Sequence, residues 1–501
     1  VVSLPVLIIS FAIIGAVFAF LTVRVGKSKN TFWTFLQHFC GVWFVFSGLV
    51  KAIDPIGTAY KMEDYFVAFT QTAEGLTNIF KGIAPLFPFL ATYSLGFSVF
   101  MTVLEIALGI MLMIGYSRKW TAWLFFLTMV FFTVLTGFTF LTGYVPQEDN
   151  FFDFAKWGPY IKTQMRVTDC GCFGDFIKLD PKVSFFKDIF LMVPAFLFLL
   201  RSKNMHQLWT KGIRAVLLIA TIAVSAYLCY RNAYLDLPMV DFRPFSIGTN
   251  LRERFELEKS AQVDVLGWVL ENDSTKQVIK FMEPEAGKIT YYKTYPKNQG
   301  WKVKDQIQTD WYVKKGDQRM PITKTKVNDF AVEDAENGEV TEDLLAEKGN
   351  SLMIVAYKLK GEKKKETLTV QDTVYAVDTI RVNKDSIHST RRVASITPRT
   401  IEREIFVPTP EYAALFRDQL NPLADAAAKA GWKVYAITTI GDAPVAADFK
   451  RTTGAAYPFY KADDKLLKTI LRANPGVVVL KDGVVTGMYH DRHLPKFEQL
   501  K

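Results

Sequence analysis

Six apolar runs, each long enough to cross a bilayer, crowd roughly the first 230 residues of the chain. They cover Leu4–Val23, Phe32–Ile53, Phe87–Tyr116, Trp120–Leu141, Phe185–Leu200 and Ile213–Tyr230. A spanning helix needs about 17–25 predominantly apolar residues. In lipid the backbone must satisfy its own hydrogen bonds, which an α-helix does within one segment. The pattern predicts an α-helical membrane bundle of about six transmembrane helices. The first run has no basic segment ahead of it and no clear small-residue cleavage site, so it reads as a true span. The composition, 50% hydrophobic with 41 phenylalanines, is uneven, and the chain beyond this half reads as ordinary soluble protein.

Orientation follows from the basic residues in the short connections. Arg24, Lys27 and Lys29 follow the first run, Arg118 and Lys119 lie between the third and fourth, and Arg201, Lys203, Lys211 and Arg214 lie between the fifth and sixth. These connections carry little acid and, with six spans, share one side, expected to be cytoplasmic. Both termini, the loops 54–86 and 142–184, and everything after about 231 then face outward, into the periplasm if the membrane is a bacterial inner membrane. The net charge of +10 reads as topogenic and surface charge. No basic-aromatic motif supports nucleic-acid binding.

Beyond a proline-containing connector, residues 251–330 hold strand-like runs ("QVIKFME", "GKITYYKTY", "WYVKKG") that suit a small β-rich module. The order is clearer further on. "SLMIVAYKL" (351–359) reads as a strand, 411–431 as an amphipathic helix, "WKVYAITTI" (432–440) as a buried strand and 443–453 as a helix. "YPFYKA" is a strand, "DDKLLKTILRA" a helix, and "NPGVVVLKDGVVTGMYH" a hairpin turning at Asp482-Gly483. This order resembles a thioredoxin-like domain of the TlpA type, with Pro475 where that family has its cis-proline. No cysteine follows Cys229, so the family's Cys-x-x-Cys is absent. The expected organisation is a membrane domain (1–232), a connector and β-rich module (233–345), and a thioredoxin-like domain (346–501) with a strand-rich insertion at 360–408. The basic "KLKGEKKKE" in that insertion reads as a solvated turn.

Of the four cysteines, two sit one residue apart in "TDCGCFGDF" (168–176), in a loop expected outside. Cys170 and Cys172 admit three readings. A disulfide across one residue departs from ordinary bridge geometry, which favours a labile, exchanging bond. A static brace for the loop is the plain alternative. A metal clip is the weakest, because tetrahedral zinc needs four ligands and the loop has no histidine. Asp169 and Asp175 would raise the thiol pKa. Cys229, near the outer end of the sixth run, is a candidate relay, whereas Cys40, toward the inner end of the second, is expected to pack. Glu105 lies deep in an apolar run, where an ionisable group needs a partner and marks either a structural tie or a proton or quinone site. Lys51 and Asp54 sit nearer the surface, and His38 is a candidate partner from the inner half. His490 and His493, in "YHDRHLP", read as surface residues.

The membrane half resembles the DoxX/MauE family through "GVWFVFSGLVKAIDPIG" (41–57), "LEIALGIMLMIG" (104–115) and "DCGCFGDF" (169–176). The layout also resembles DoxX-like proteins of Bacteroidetes. MauE-like proteins are implicated in disulfide formation in periplasmic partners, so the resemblance implies a redox-active Cys170/Cys172 pair passing electrons to a quinone, without metal. The implied partner is a periplasmic client or an envelope complex, besides membrane lipid. The alternative is a non-enzymatic scaffold binding an envelope partner through its soluble domains.

Overall fold

The computed structural model describes residues 3–28, 30–75, 82–167, 171–275, 277–285, 287–383 and 386–500. They form two compact units, one of residues 1–246 and 253–328, the other of residues 247–252 and 329–501. The residues 329–345 thus go with the second unit, and the β-rich stretch before them with the first.

Six helices of the first unit are long and apolar enough to cross a membrane: Leu4–Arg24, Thr31–Ile53, Ser94–Ile114, Arg118–Tyr144, Pro181–Leu200 and Lys211–Leu235. We label the α-helices of this half α1 (Leu4–Arg24), α2 (Thr31–Ile53), α3 (Pro55–Glu74), α4 (Leu86–Thr92), α5 (Ser94–Ile114), α6 (Arg118–Leu141), α7 (Pro181–Leu200) and α8 (Lys211–Tyr230). The outer helices keep their apolar side chains exposed, as lipid-facing helices do: Ile9, Ile13 and Val17 on α1, Val216, Ile219 and Val224 on α8.

Two helical elements of this half depart from expectation. The loop expected at 54–86 holds α3, capped by Asp54, whose Oδ1 accepts from the Gly57 N–H at 2.8 Å. Its buried Met62, Phe66 and Ala73 fall on one face. Interspersed Lys61, Glu63 and Asp64 keep it from reading as a span. The long run expected at Phe87–Tyr116 breaks at Tyr93 into α4 and α5.

Helices α2 and α5 cross closely because glycines face each other. A Cβ on Gly109 would lie 2.8 Å from both the Gly41 carbonyl oxygen and the Val45 nitrogen. One on Gly48 would lie 2.5 Å from Ile106 Cγ1. Small residues let membrane helices approach backbone to backbone.

The first unit also carries a three-stranded antiparallel sheet of β1 (Val265–Asn272), β2 (Val278–Met282) and β3 (Trp301–Gln308), in the order β2-β1-β3, and the hairpin β4 (Tyr312–Lys315) with β5 (Gln318–Pro321). The expected strand "GKITYYKTY" is instead a turn with a short helix at Tyr291–Thr294. The Glu283 carboxylate causes this: it accepts from the Thr290 and Tyr291 N–H groups at 2.8 and 3.2 Å and from Trp268 Nε1 at 2.7 Å, folding the segment back on β1.

The second unit is built on a seven-stranded sheet. Its strands are β6 (Val332–Asp334), β7 (Gly338–Glu339), β8 (Asn350–Val355), β11 (Lys433–Thr438), β12 (Phe459–Ala462), β13 (Gly476–Lys481) and β14 (Val484–His490), in the order β14-β13-β8-β11-β12-β6-β7; β9 (Gly361–Asn383) and β10 (Ser386–Pro408) pair separately. Strands β8, β11 and β12 are parallel, while β13 and β14 run antiparallel. Asp482 (φ 51°) and Gly483 (φ 80°) make the left-handed two-residue turn between β13 and β14. The Asn474–Pro475 bond is cis. Leu352, Ile354, Phe416, Phe449, Val477 and Val479 form the core. The β9–β10 hairpin, 23 residues in each arm, occupies the expected insertion.

Candidate functional site

The site is a small charged cavity inside the helical bundle, lined among others by Ser47, Lys51, Glu105, Thr136, Gly171, Cys172, Lys187 and Asp188. Its volume is about 30 Å³, room for about two water molecules. Each wall comes from a different element. Ser47 and Lys51 lie four residues apart on α2 and so share a face. Glu105 comes from α5, Thr136 from α6, Lys187 and Asp188 from α7, and Cys172 from the loop before α7.

Two ion pairs are buried here. Lys51 Nζ lies 2.6 Å from Glu105 Oε2, with side-chain exposures of 7% and 3%. The ammonium also sits 4.7 Å from the centroid of the Phe132 ring, whose negative face attracts it. Lys187 pairs with the adjacent Asp188, and both are buried to a similar degree. The Thr136 hydroxyl donates to Asp188 Oδ2 at 2.9 Å. Isolated charges at this depth are expensive, and pairing with hydrogen bonding is what makes them tolerable. The cluster is balanced, two ammonium groups against two carboxylates.

Cys172 is held over this cluster as a free thiol. The Ser47 hydroxyl donates to the Cys172 carbonyl at 3.0 Å, tying the loop to α2. Gly171 turns the chain with φ +62°, and a Cβ there would meet Lys61 Cγ at 3.2 Å. Phe173 is buried next to it, with its ring centroid 6.1 Å from that of Phe46. Burial pushes the Cys172 thiol pKa up; the Lys187 and Lys51 ammonium groups pull it down, and Asp188 and Glu105 oppose them. Both ion pairs thus act on this thiol. Of the two acids the sequence suggested, Asp175 pairs with Lys178 at 3.6 Å, and Asp169 lies outside the described residues.

Among the residues singled out in the sequence, the structure brings Cys172, Glu105 and Lys51 together. Cys170 lies outside the described residues. Asp54 caps α3 and does not line the cavity. His38 does not partner Glu105: its Nε2 lies 2.9 Å from the Thr22 hydroxyl, and its ring stacks on His206 at 4.7 Å. Cys229 packs with Ala52 and Ile106, one residue on from Lys51 and Glu105, and is not among the cavity's lining residues. Cys40 is buried in the main bundle core. Lys187, Asp188 and Thr136 were missed. The adjacent Lys-Asp inside the fifth apolar run was the available signal, since ionisable residues in such a run demand a partner.

A larger apolar cleft, of about 520 Å³, lies on another face of α6, lined by Phe69, Phe87, Thr133, Gly137, Phe138 and Phe151 among others. Among the described residues no group of three or more His, Cys, Asp or Glu side chains is placed to hold a metal ion.

No family model, no curated protein and no solved structure matches the chain.

Proposed function

We propose that this multi-pass membrane protein is a thiol–disulfide oxidoreductase whose Cys170/Cys172 loop exchanges disulfides with a protein client and passes the electrons to a membrane quinone. The observation that supports it is the seat of Cys172: a free thiol placed over two buried, balanced ion pairs. Ionisable groups are costly in a membrane bundle and mark functional sites by default, and four of them converge on this sulfur.

The chemistry balances as follows. A client thiolate attacks one sulfur of the Cys170–Cys172 disulfide, giving a mixed disulfide and one loop thiol. The client's second thiolate then attacks the client sulfur of that mixed disulfide and expels the loop cysteine, leaving an oxidised client and, once protonated, two loop thiols. A quinone then takes two electrons and two protons, becomes quinol, and the loop disulfide forms again. The two lysines near Cys172 favour its thiolate and the two carboxylates hold the balance, so the cluster tunes the sulfur without net charge. The charged cavity, at about 30 Å³, is too small to hold a quinone ring, so it would serve the sulfur and not the quinone.

The arginine and lysine asymmetry favours a bacterial inner membrane with both termini and the soluble units in the periplasm, where disulfides persist. The strand order and direction of β12-β11-β8-β13-β14 support the thioredoxin-like reading of the second unit, which, lacking cysteine, serves as a docking surface. A second reading, a scaffold binding an envelope partner, is favoured by the β9–β10 arms, whose Val374, Tyr375, Val377 and Val393 are exposed. The two separate in one experiment. Cys170→Ala or Cys172→Ala, expressed in cells, should trap a mixed disulfide visible as a reducible high-mass band. If neither variant traps a client at normal expression, the scaffold reading stands instead.

A further inference from the structure

A second cluster of buried polar groups lies at the opposite end of the bundle, where α6 and α8 begin. The segment between α7 and α8 is strapped across the ends of α2 and α5. Gln37 donates to the Leu112 carbonyl at 3.1 Å and accepts from the His206 N–H at 2.7 Å. The His206 Nε2 lies 2.9 Å from the Met113 carbonyl, and the Leu208 N–H donates to the Ile114 carbonyl at 3.0 Å. Arg214 donates to the Gly115 carbonyl at 2.7 Å. Arg214 is fixed through that carbonyl, and Arg118 is the first residue of α6, close enough that the two charges act on one another.

Among the described residues neither arginine has an acidic partner. The Arg118 side chain makes no hydrogen bond or ion pair among the described residues, and the Nε atoms of both Arg118 and Arg214 are buried without a partner. The fully buried His206 likewise leaves its Nδ1 without one. Burial holds His206 below the usual histidine range, with Arg118 acting in the same direction, so the positive charge belongs to the arginines. The sequence supplies no counter-charge either. No Asp or Glu occurs from 24 to 53, from 106 to 147 or from 189 to 235, the stretches that build this end. The N-terminus of α6 adds its positive dipole end and has no side-chain cap. Two guanidinium groups held together without a carboxylate, partly buried at the ends of membrane spans, match a phosphate at headgroup level. Arginine's planar fork suits phosphate oxygens, and basic pockets between helix ends on the positive side of a membrane protein take anionic headgroups.

We propose that Arg118 and Arg214 bind the phosphate of an anionic phospholipid in the leaflet where α6 and α8 begin. The full-length protein, purified in uncharged detergent, is titrated with phosphatidylglycerol, with phosphatidylcholine and with inorganic phosphate, reading thermal stability and, by native mass spectrometry, retained lipid. Phosphatidylglycerol should stabilise the protein and be retained, with at least about tenfold tighter apparent affinity than phosphatidylcholine. Arg118→Gln should weaken that affinity about tenfold, whereas Lys119→Gln, next to it but exposed, should change it less than about twofold. Among the described residues the Arg118 side chain has no partner, so its replacement tests binding without removing a bond seen there; Arg214→Gln additionally loses the Gly115 contact. Equal affinity for the two lipids, unchanged affinity in Arg118→Gln, or equal protection by inorganic phosphate would each overturn the assignment.

Discussion

Lys51 on α2 and Glu105 on α5 meet in a 2.6 Å ion pair that is more than nine-tenths buried, within the helical bundle. Removing one partner of such a pair leaves an uncompensated buried charge, at a cost of about 3–5 kcal/mol, whereas replacing both with apolar residues of similar size is often neutral. Lys51→Met and Glu105→Gln should each lower stability in detergent by that order, and Lys51→Met combined with Glu105→Leu should recover most of it. The proposed chemistry predicts that the recovered double variant still loses disulfide exchange, because the cavity beside Cys172 has lost half of its charged lining. Denaturation midpoints and client trapping on the same three proteins separate the two effects. A double variant that is both stable and fully active would make the pair purely structural.

The pair exists because α2 and α5 approach so closely, and the two glycine contacts differ in kind. At Gly109 an added methyl meets backbone, the Gly41 oxygen and the Val45 nitrogen at 2.8 Å. At Gly48 the nearest atom is the side-chain Cγ1 of Ile106 at 2.5 Å, which can turn away. Gly109→Ala should therefore cost more than Gly48→Ala, with overpacking of about 1–3 kcal/mol at the former. Equal thermal shifts in the two variants would show that the backbone contact at Gly109 carries no greater penalty than the side-chain contact at Gly48.

Cys172 should react slowly at neutral pH. Burial pushes its thiol above the usual cysteine value of 9.0, so the thiolate is the minor species at pH 7. The rate of alkylation by a small neutral reagent should rise about tenfold per pH unit and still be rising past pH 9, because the thiolate is the nucleophile. Lys187→Met should slow it further at a given pH, since that ammonium is the strongest of the groups favouring the thiolate. A rate that levels off near pH 7 would mean that the lysines outweigh burial.

The six spanning helices were legible in the sequence because lipid demands a long uninterrupted apolar run, and the turn at Asp482-Gly483 because a two-residue hairpin demands left-handed backbone there. Helix α3 was not, since Lys61, Glu63 and Asp64 dilute its apolar face below the level of a span. The strand expected at "GKITYYKTY" was lost to Glu283, whose hold on Thr290 and Tyr291 is a tertiary event that no local pattern announces. At the site, Cys172 and Glu105 were visible by residue type and place. Their convergence was not, because it depends on how closely α2 and α5 cross and on a Lys-Asp pair one helix away, both properties of packing across the bundle.

The most direct test of the redox account is a single-turnover reaction between the fully reduced, detergent-solubilised protein and a soluble short-chain quinone, with thiols and quinol counted together. The account predicts one quinol formed for every two thiols lost, with the loss confined to Cys170 and Cys172 and abolished by Cys172→Ala. Thiols that persist while quinone remains, or quinol formed equally well by Cys172→Ala, would contradict it.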